Sequence, residues 1–283
     1  MFGYSRQVYY RAIKSERVKQ QRAAKVVRLV QGLRMSMPRI GTRKLYHLLQ
    51  TELQELGVGR DKLFDILKAN HMLIKPKKNY HITTNSYHRF YKHKNLVSGI
   101  EVKRPEQVWV ADITYIGTRK NPMYLSLITD AYSKQIMGHY VSDNLSTNSS
   151  LQALKQATKN RKYPNQKLIH HSDRGIQYCS DYYQEELSNK GIQCSMTEKY
   201  DPYENPIAER INGILKQEFI ELVRVDQLTH MKVLVMQSIE TYNKQRPHLS
   251  CWMNTPDKMH KQNKLKIKSY KKKNLKENVL LEV

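Results

Sequence analysis

Two aspartates lie where a carboxylate is either costly to bury or well placed for chemistry. Asp112 lies inside an apolar run, between Val110 and Ile113, and a carboxylate buried there needs compensation. Asp173 directly follows another apolar segment, and open α/β sheets collect ligands beyond the carboxyl ends of their strands. Taken singly, each also fits a structural role, Asp112 on an exposed strand face and Asp173 as a turn cap.

A third carboxylate, Glu209, belongs to a segment with two faces. On a helical wheel of about 100° per residue, an apolar stripe suited to packing on a sheet is formed by Ile207, Ile211, Ile214, Leu215 and Leu222. Nearly opposite lies a narrow stripe of two amides, one carboxylate and one amine: Asn205, Glu209, Asn212 and Lys216. A merely solvated face would be more mixed in residue type, so the pattern favours a functional face.

Three carboxylates in a basic chain suit phosphodiester chemistry. Two Mg²⁺ ions roughly 3.5–4 Å apart can stabilise both the attacking and the leaving oxygen, and they need only a few carboxylates. Lys216 follows Glu209 by about two turns on the same face, where its amine could reach a phosphate as a point charge. The chain has no signature of a Ser or Cys nucleophile and no P-loop, so ATP is not implied.

The charge distribution indicates where a polyanion would bind. The 283 residues carry a net charge of +24, of which residues 1–100 contribute +16, residues 101–256 only +2 and residues 257–283 another +6. Two basic segments on either side of a nearly neutral centre favour a protein whose catalytic centre is held on nucleic acid by its basic ends. Solvated surface or a disordered tail is the alternative, and disorder is favoured for the Lys-rich end.

Composition limits the remaining classes. Apolar residues make up 39%, enough for one real core with extended polar segments. No apolar run reaches the roughly 18 residues of a membrane span or resembles a signal peptide. The three cysteines form no CxxC pair, which argues against a disulfide scaffold and a structural zinc site. The chain is therefore expected to be reduced, soluble and intracellular.

The first hundred residues are predicted to be mainly helical. Helices are expected over residues 5–33, 41–56 and 60–70, with a glycine turn at residues 57–59 between the last two. Two short helices across such a turn fit a helix-turn-helix, with Arg60, Lys62 and Lys68 available to DNA. Helical hairpins also occur in proteins that never touch DNA. Residues 71–104 are expected to be a wing or linker.

From residue 107 the pattern changes to α/β. Three strand-like runs are followed by a helix, a strand, a helix, a strand and two longer helices, which predicts a mixed sheet. The expected strands cover residues 108–117, 122–133, 134–143, 167–172 and 192–196, and the expected helices 144–161, 181–190, 205–222 and 226–245.

The motifs around the three carboxylates resemble a known family. WVADITYI, HHSDRGIQY and YENPIAERINGILKQE resemble the DDE catalytic core of retroviral integrases and bacterial insertion-sequence transposases. Thirty-five residues separate Asp173 from Glu209, as in that family's D,D-35-E signature. GYSRQVYYR, GTRKL, VGRDKLFDIL and YNKQRPHLSCWMNTPDKMH are similar to the OrfB polypeptide of copy-out–paste-in elements.

The resemblance implies a fold and a division into regions. The expected fold is an RNase H-like α/β core with a mixed five-stranded sheet and flanking helices, preceded by a helix-turn-helix-like region. The expected regions are a basic helix (1–35), a DNA-binding region with linker (36–104), the catalytic core (105–260) and a disordered Lys-rich tail (261–283).

The resemblance also implies a reaction and its residues. Asp112, Asp173 and Glu209 would be the catalytic and metal-binding residues, holding two Mg²⁺ ions, with Mn²⁺ as a substitute. Strand cleavage by water would free a 3′-hydroxyl that attacks a second phosphodiester, without a covalent enzyme intermediate. DNA contacts are assigned to Lys216, Asn205, Asn212, Arg174, Arg60, Lys62 and Lys68, and substrate positioning to His171, Arg174 and Gln177.

The implied partners are DNA (terminal repeats and target), an OrfA-type polypeptide as fusion or partner, and further copies of the chain on DNA. The implied location is the bacterial cytoplasm, at the nucleoid, and no membrane partner is implied. The chain lacks the His/His/Cys/Cys zinc module of retroviral integrases and any sustained heptad pattern. Two other readings stay open. One is a non-catalytic DNA-binding regulator of a fused transposase, and the other is an RNase H-type nuclease that cleaves RNA–DNA hybrids without joining.

Overall fold

A five-stranded mixed sheet forms the centre of the fold. The computed structural model describes residues 5–75, 93–118, 120–198 and 205–268. The strands are β1 (Val108–Gly117), β2 (Pro122–Asp130), β3 (Ile136–Ser142), β4 (Ile169–Ser172) and β5 (Gln193–Met196). Their order is β3-β2-β1-β4-β5, with β1–β2 and β2–β3 antiparallel and β1–β4 and β4–β5 parallel. The predicted five-stranded mixed sheet is confirmed.

Helices precede the sheet and cover both of its faces. The N-terminal four are α1 (Arg6–Ser36), α2 (Thr42–Leu48), α3 (Gln50–Glu55) and α4 (Arg60–Ala69). Those of the core are α5 (Thr147–Lys159), α6 (Ile176–Cys179), α7 (Asp181–Asn189), α8 (Pro206–Glu218), α9 (Leu228–Lys244) and α10 (Pro256–His260). No helix in the described ranges is long and apolar enough to cross a bilayer.

The N-terminal helices differ in detail from the sequence prediction. The single helix expected over residues 41–56 is broken at Leu49, whose backbone leaves helical geometry (φ −105°, ψ 22°). Three- and four-residue leucine spacing continues across such a break because both short helices pack on the same core. The glycine turn is present, with Gly57 at φ 60°, and α4 follows it as predicted.

Strand β1 separates two apolar layers by its alternation. Trp109 and Ala111 pack with residues of α5 and α7 on one face. Val108 and Val110 face the other way and pack with Ala208 of α8. Asp112 continues this second set, so its side chain belongs to the α8 face of the sheet.

Gly138 of β3 allows the closest approach between the sheet and a helix. A Cβ atom at this position would lie 2.1 Å from the carbonyl oxygen of Ala153 and 2.8 Å from the backbone nitrogen of Ala157, both on α5. Backbone atoms cannot move aside as side chains do. The strand and helix therefore contact each other directly only because residue 138 is glycine.

A buried ionic network connects the start of β1, the end of β2 and α10. Glu106, Asp130 and His260 have fully buried side chains. His260 Nε2 lies 3.3 Å from Glu106 Oε1, and its Nδ1 lies 2.9 Å from Ser133 Oγ and 3.6 Å from Asp130 Oδ1. Arg161 Nε donates to Glu106 Oε2 at 3.0 Å. The network fixes α10 to the sheet.

The short helices α6 and α10 were not predicted, because four or five residues carry no measurable helical period. The chain also remains attached to the core beyond residue 260. Tyr132 donates its hydroxyl to the carbonyl of Leu265 at 2.5 Å, and Trp252 Nε1 donates to that of Lys266 at 2.8 Å. The rest of the predicted tail (269–283) and half of the predicted wing (76–92) lie outside the described residues. The three cysteines are free thiols.

Candidate active site

Asp112 and Asp173 lie side by side because β1 and β4 are parallel neighbours. The register pairs Val110 of β1 with His171 of β4. Asp112 and Asp173 each lie two residues further along, and Asp173 directly follows β4, so the two aspartates lie beside each other. Equal spacing also points both side chains to the same face of the sheet. The amide of Gly175 donates to Asp173 Oδ1 at 3.0 Å and orients that carboxylate.

The electrostatics of Asp112 reflect its acidic neighbours. Burial raises the pKa of Asp112, and the charges of Asp173 and Glu209 raise it further. Hydrogen bonds from Asn212 and from the amide of Ile113 act in the opposite direction, and the resulting pKa is about 7. Asp173 and Glu209 therefore oppose the ionisation of Asp112, which is an electrostatic condition that a bound cation relieves.

Two amides fasten α8 to β1. Asn212 Nδ2 donates to Asp112 Oδ2 at 2.7 Å, and Asn205 Nδ2 donates to the carbonyl of Ala111 at 3.0 Å. Both asparagines are buried, and within the described part of the chain neither side-chain oxygen has a hydrogen-bond partner. We call these two residues the asparagine pair. It sets the rotation and height of α8 relative to Asp112.

The asparagine pair changes the interpretation of the helical wheel. The wheel predicted that the apolar stripe of α8 faces the sheet and that the amide stripe lies nearly opposite. Ile211, Ile214 and Leu215 do pack in an apolar cluster with Ile116 and Leu125 of the sheet, and this cluster also includes the N-terminal helices. The amides, which were expected nearly opposite, contact β1 as well. A wheel cannot reveal this because it does not show that α8 is covered on two sides.

Glu209 lies on α8 between the two asparagines and is exposed. Partial burial raises its pKa, and its charge acts on Asp112. Across the described residues, no group of three or more His, Cys, Asp or Glu side chains is arranged to hold a metal ion. The structure thus places Asp112 and Asp173 together and leaves Glu209 near them, outside a shared ligand set.

Lys216 is a basic residue in the last turn of α8. Its side chain is 15% exposed, and its Nζ lies 4.0 Å from Glu221. The pKa of Lys216 is lowered overall, because the effect of burial exceeds the opposing effect of the charges of Glu221 and Asp112. The amine is therefore partly enclosed and near enough to Asp112 to interact electrostatically.

The remaining residues assigned to substrate positioning have partners within the fold. Arg174 Nε donates to the carbonyl of Thr197 at 2.6 Å, and Gln177 Nε2 to that of Leu145 at 3.2 Å. His171 is buried, with Nδ1 2.9 Å from Ser195 Oγ. The α4 cations assigned to DNA are all exposed: Arg60, Lys62 and Lys68. Arg60 also pairs with Asp61 at 2.9 Å.

Sequence reasoning did not identify the residues that hold α8 from its far end. Arg246 is buried and forms a two-pronged pair with Glu218, at 2.8 and 2.6 Å. Asn243 exchanges two hydrogen bonds with the backbone of Ile136, both 3.0 Å. Both residues belong to the YNKQRPH motif, so the signal was present in the sequence, but only the fold shows that it fixes α8 and α9.

The donor chemistry of the cluster fits divalent magnesium or manganese. Asp112, Asp173 and Glu209 offer carboxylate oxygens, the hard ligands that these ions prefer. The raised pKa of Asp112, to which the charges of Asp173 and Glu209 contribute, is a second feature that a bound cation would relieve. The parallel sheet edge and the acidic cluster define a polynucleotidyl-transferase type of core.

Comparison with known proteins identifies the family. Two models, each described as an integrase core domain, match residues 102–202 and 190–256. The chain is 34% identical over 254 residues to the insertion element IS600 uncharacterized 31 kDa protein of Shigella sonnei, covering 88% of this chain and 92% of that one. It belongs to the insertion-sequence transposases with a retroviral-integrase-like core, and it is a DNA transposase.

Two further matches are shorter or have lower sequence identity. A putative transposase for element IS986/IS6110 of Mycobacterium tuberculosis is 39% identical over 121 residues, covering 41% of this chain and 44% of that protein. Among solved structures, the simian T-cell lymphotropic virus intasome in complex with PP2A regulatory subunit B56 gamma has a TM-score of 0.50 at 17% identity, covering 82% of this chain and 78% of that one. This likeness concerns the fold.

Proposed function

We propose that this transposase cuts and joins DNA strands with Asp112, Asp173 and Glu209 as its catalytic, metal-binding residues. The proposal rests on the parallel pairing of β1 with β4, which brings Asp112 of β1 beside Asp173 just after β4. The asparagine pair holds α8 against β1 next to Asp112. The pKa of Asp112, raised to about 7 by burial and by the other two carboxylates, supports a shared cation.

Asp112 and Asp173 would hold Mg²⁺ or Mn²⁺, and Glu209 would join them from α8. When bound, two such ions supply charge stabilisation at the attacking and leaving oxygens. Asn212 would keep Asp112 Oδ2 in place, and Gly175 would do the same for Asp173 Oδ1. Lys216 would contact a phosphate oxygen beside the cluster. Attack of water on one phosphodiester breaks its bond to the 3′ oxygen and leaves a 3′-hydroxyl and a 5′-phosphate. Attack of that 3′-hydroxyl on a second phosphodiester joins the two strands and releases the 3′ oxygen of the second diester as a new 3′-hydroxyl.

The test is cleavage and joining of DNA that carries the element's ends, with the full chain or its fusion to an OrfA-type polypeptide. Asp112→Asn, Asp173→Asn and Glu209→Gln are each expected to lower both rates by roughly 10³-fold, about 4 kcal/mol of barrier. Glu185→Gln, an exposed change on α7, is the matched control and should retain activity.

Equal activity of the three variants and the control would contradict the carboxylate assignment. An RNA–DNA hybrid substrate included in the same series distinguishes strand transfer from simple nuclease action. Hybrid cleavage without any joined product would favour the nuclease reading.

A binding experiment tests the metal assignment apart from catalysis. Mg²⁺ or Mn²⁺ should raise the unfolding temperature of the full chain, because a ligand that binds only the folded state stabilises it. The double variant Asp112→Asn/Asp173→Asn should show no metal-dependent rise, whereas Glu185→Gln should respond as the wild type does. The same rise in all three proteins would show that the metal binds elsewhere.

The proposal includes partners that the family resemblance supports. They are the terminal repeats and target DNA, further copies of the chain on that DNA, and an OrfA-type polypeptide, with the complex acting at the bacterial nucleoid. Arg60, Lys62 and Lys68 on the exposed side of α4 would contact DNA, together with Arg174 and Lys216. Asn205 and Asn212, which the sequence also assigned to DNA contacts, donate to β1 in this structure.

A further inference from the structure

Helix α1 is one continuous helix of 31 residues, and only its second half is packed. From Ala23 onward it contributes Val26 and Val30 to the N-terminal core. Every residue from Ser5 to Arg22 is exposed. At 1.5 Å per residue, this first part extends for about 25 Å with no described residue covering it.

The exposed half of α1 is charged on one side. On a wheel of about 100° per residue, six cations fall within an arc of roughly 160°: Arg6, Arg11, Lys14, Arg17, Arg22 and Lys25. We call this set the basic stripe. The packed residues Val26 and Val30 lie on the other side of the helix, and so does Glu16, the only acidic residue of α1.

The basic stripe is not neutralised within the described residues. The one ion pair on α1 joins Lys19 to Glu16 at 3.7 Å, and Lys19 lies outside the stripe. Like charges spaced three residues apart, such as Arg11, Lys14 and Arg17, repel one another along a helix. Most of the stability of a helix in a protein comes from tertiary packing, and no described residue packs on this part of α1. A polyanion along this side would remove the repulsion.

We infer that the basic stripe of α1 binds the phosphate backbone of duplex DNA. The stripe runs about 28 Å at 1.5 Å per residue, and a duplex presents one phosphate charge per roughly 1.7 Å of its axis. Charge complementarity therefore selects DNA over another protein surface. The apolar residues opposite the stripe are interrupted by Glu16 and Lys19, which disfavours a helix–helix seam. The inference rests on the proposed DNA transposase function and extends its DNA contacts beyond α4.

The test uses the full chain and a duplex of about 30 base pairs without element sequences. Binding is measured from about 50 to 300 mM NaCl. The stripe variant Arg11→Gln/Lys14→Gln/Arg17→Gln should flatten the slope of log K against log salt by two to three, because each lost phosphate contact contributes about 0.9. The control Lys155→Gln/Lys159→Gln/Lys190→Gln removes the same charge from exposed positions on and beside α5 and α7, and its slope should change by less than about one.

Equal slopes for the two variants would overturn the inference. Sedimentation velocity without DNA checks the competing occupant, a second copy of the chain. If the stripe variant lost an oligomer that the control retained, with an unchanged DNA slope, α1 would be a protein interface and the inference would fail. Because the assay scores binding and not cleavage, loss of the catalytic assignment would leave its outcome unaffected.

Discussion

At the residue scale, Asn212 is the group that orients the central carboxylate. Its amide donates to Asp112 Oδ2 at 2.7 Å from a buried position, and an amide N–H favours the ionised form of its acceptor. Asn212 acts through Asp112, so it is a positioning residue. Partners that orient metal ligands typically affect metal affinity or activity 10- to 100-fold.

The first prediction concerns Asn212→Ala, which removes the amide that donates to Asp112 and adds no charge. DNA cleavage should fall by about 10²-fold, and the Mg²⁺ concentration at half-maximal rate should rise. Asn148→Ala, an exposed change on α5, should alter neither quantity. The measurement is a single-turnover Mg²⁺ titration. An unchanged midpoint for Asn212→Ala would show that the contact to Asp112 is only structural.

At the element scale, the buried network holds α10 to the sheet and depends on pH. Burial alone would lower the pKa of His260, but hydrogen bonds and charges from Asp130 and Glu106 outweigh it and raise that pKa above 6.5. For Glu106, burial acts to raise the pKa, and contacts from His260, Lys162 and Arg161 outweigh it and lower the pKa below 4.5.

The second prediction follows from the signs of these shifts. The raised pKa of His260 gives stability that is present below about pH 6.5 and is lost as the pH rises through the folded-state value. His260→Gln should therefore lower the free energy of unfolding by about 1–3 kcal/mol at pH 6, and by less at pH 8.5. Urea unfolding at the two pH values measures this, with the exposed His230→Gln as control. An equal loss at both pH values would contradict a charged His260.

Much of this architecture could be predicted from local pattern. The strands β1 to β3, the α4 helix and the face of α8 all follow from apolar spacing, and the positions of Asp112, Asp173 and Glu209 could be singled out. The orientation of Asn212 could not, because it depends on which side of α8 meets β1. The Glu106–His260 contact could not either, since it joins residues 154 positions apart.

At the scale of the whole molecule, the N-terminal helices and the catalytic core share one apolar cluster. Lys44 of α2 lies at this junction. Burial lowers its pKa, Arg246 and Arg210 lower it further, and Glu218 partly opposes them, leaving a value of about 8. Lys44 is thus held near Arg246 and Arg210 where the N-terminal helices meet the core. The repulsion between these cations weakens the association of the N-terminal helices with the core.

The third prediction is that Lys44→Met raises the unfolding temperature by a few degrees at pH 7. Because the folded-state pKa lies below the unfolded one, the wild type gains stability as the pH rises from about 8 to 10.5. The advantage of the variant should therefore shrink at pH 10. Thermal unfolding at the two pH values tests this against the exposed neighbour Arg43→Met. A variant less stable than wild type at pH 7 would contradict it.

The contact between Gly138 and α5 has a consequence for how copies of such an element decay in a genome. A change at the first or second base of a glycine codon can introduce a side chain, and even a methyl group at this position would collide with the α5 backbone. A copy carrying that change would be silenced although all three of its carboxylate codons were intact. Genomic surveys that count motif residues alone would therefore overcount the copies still able to move.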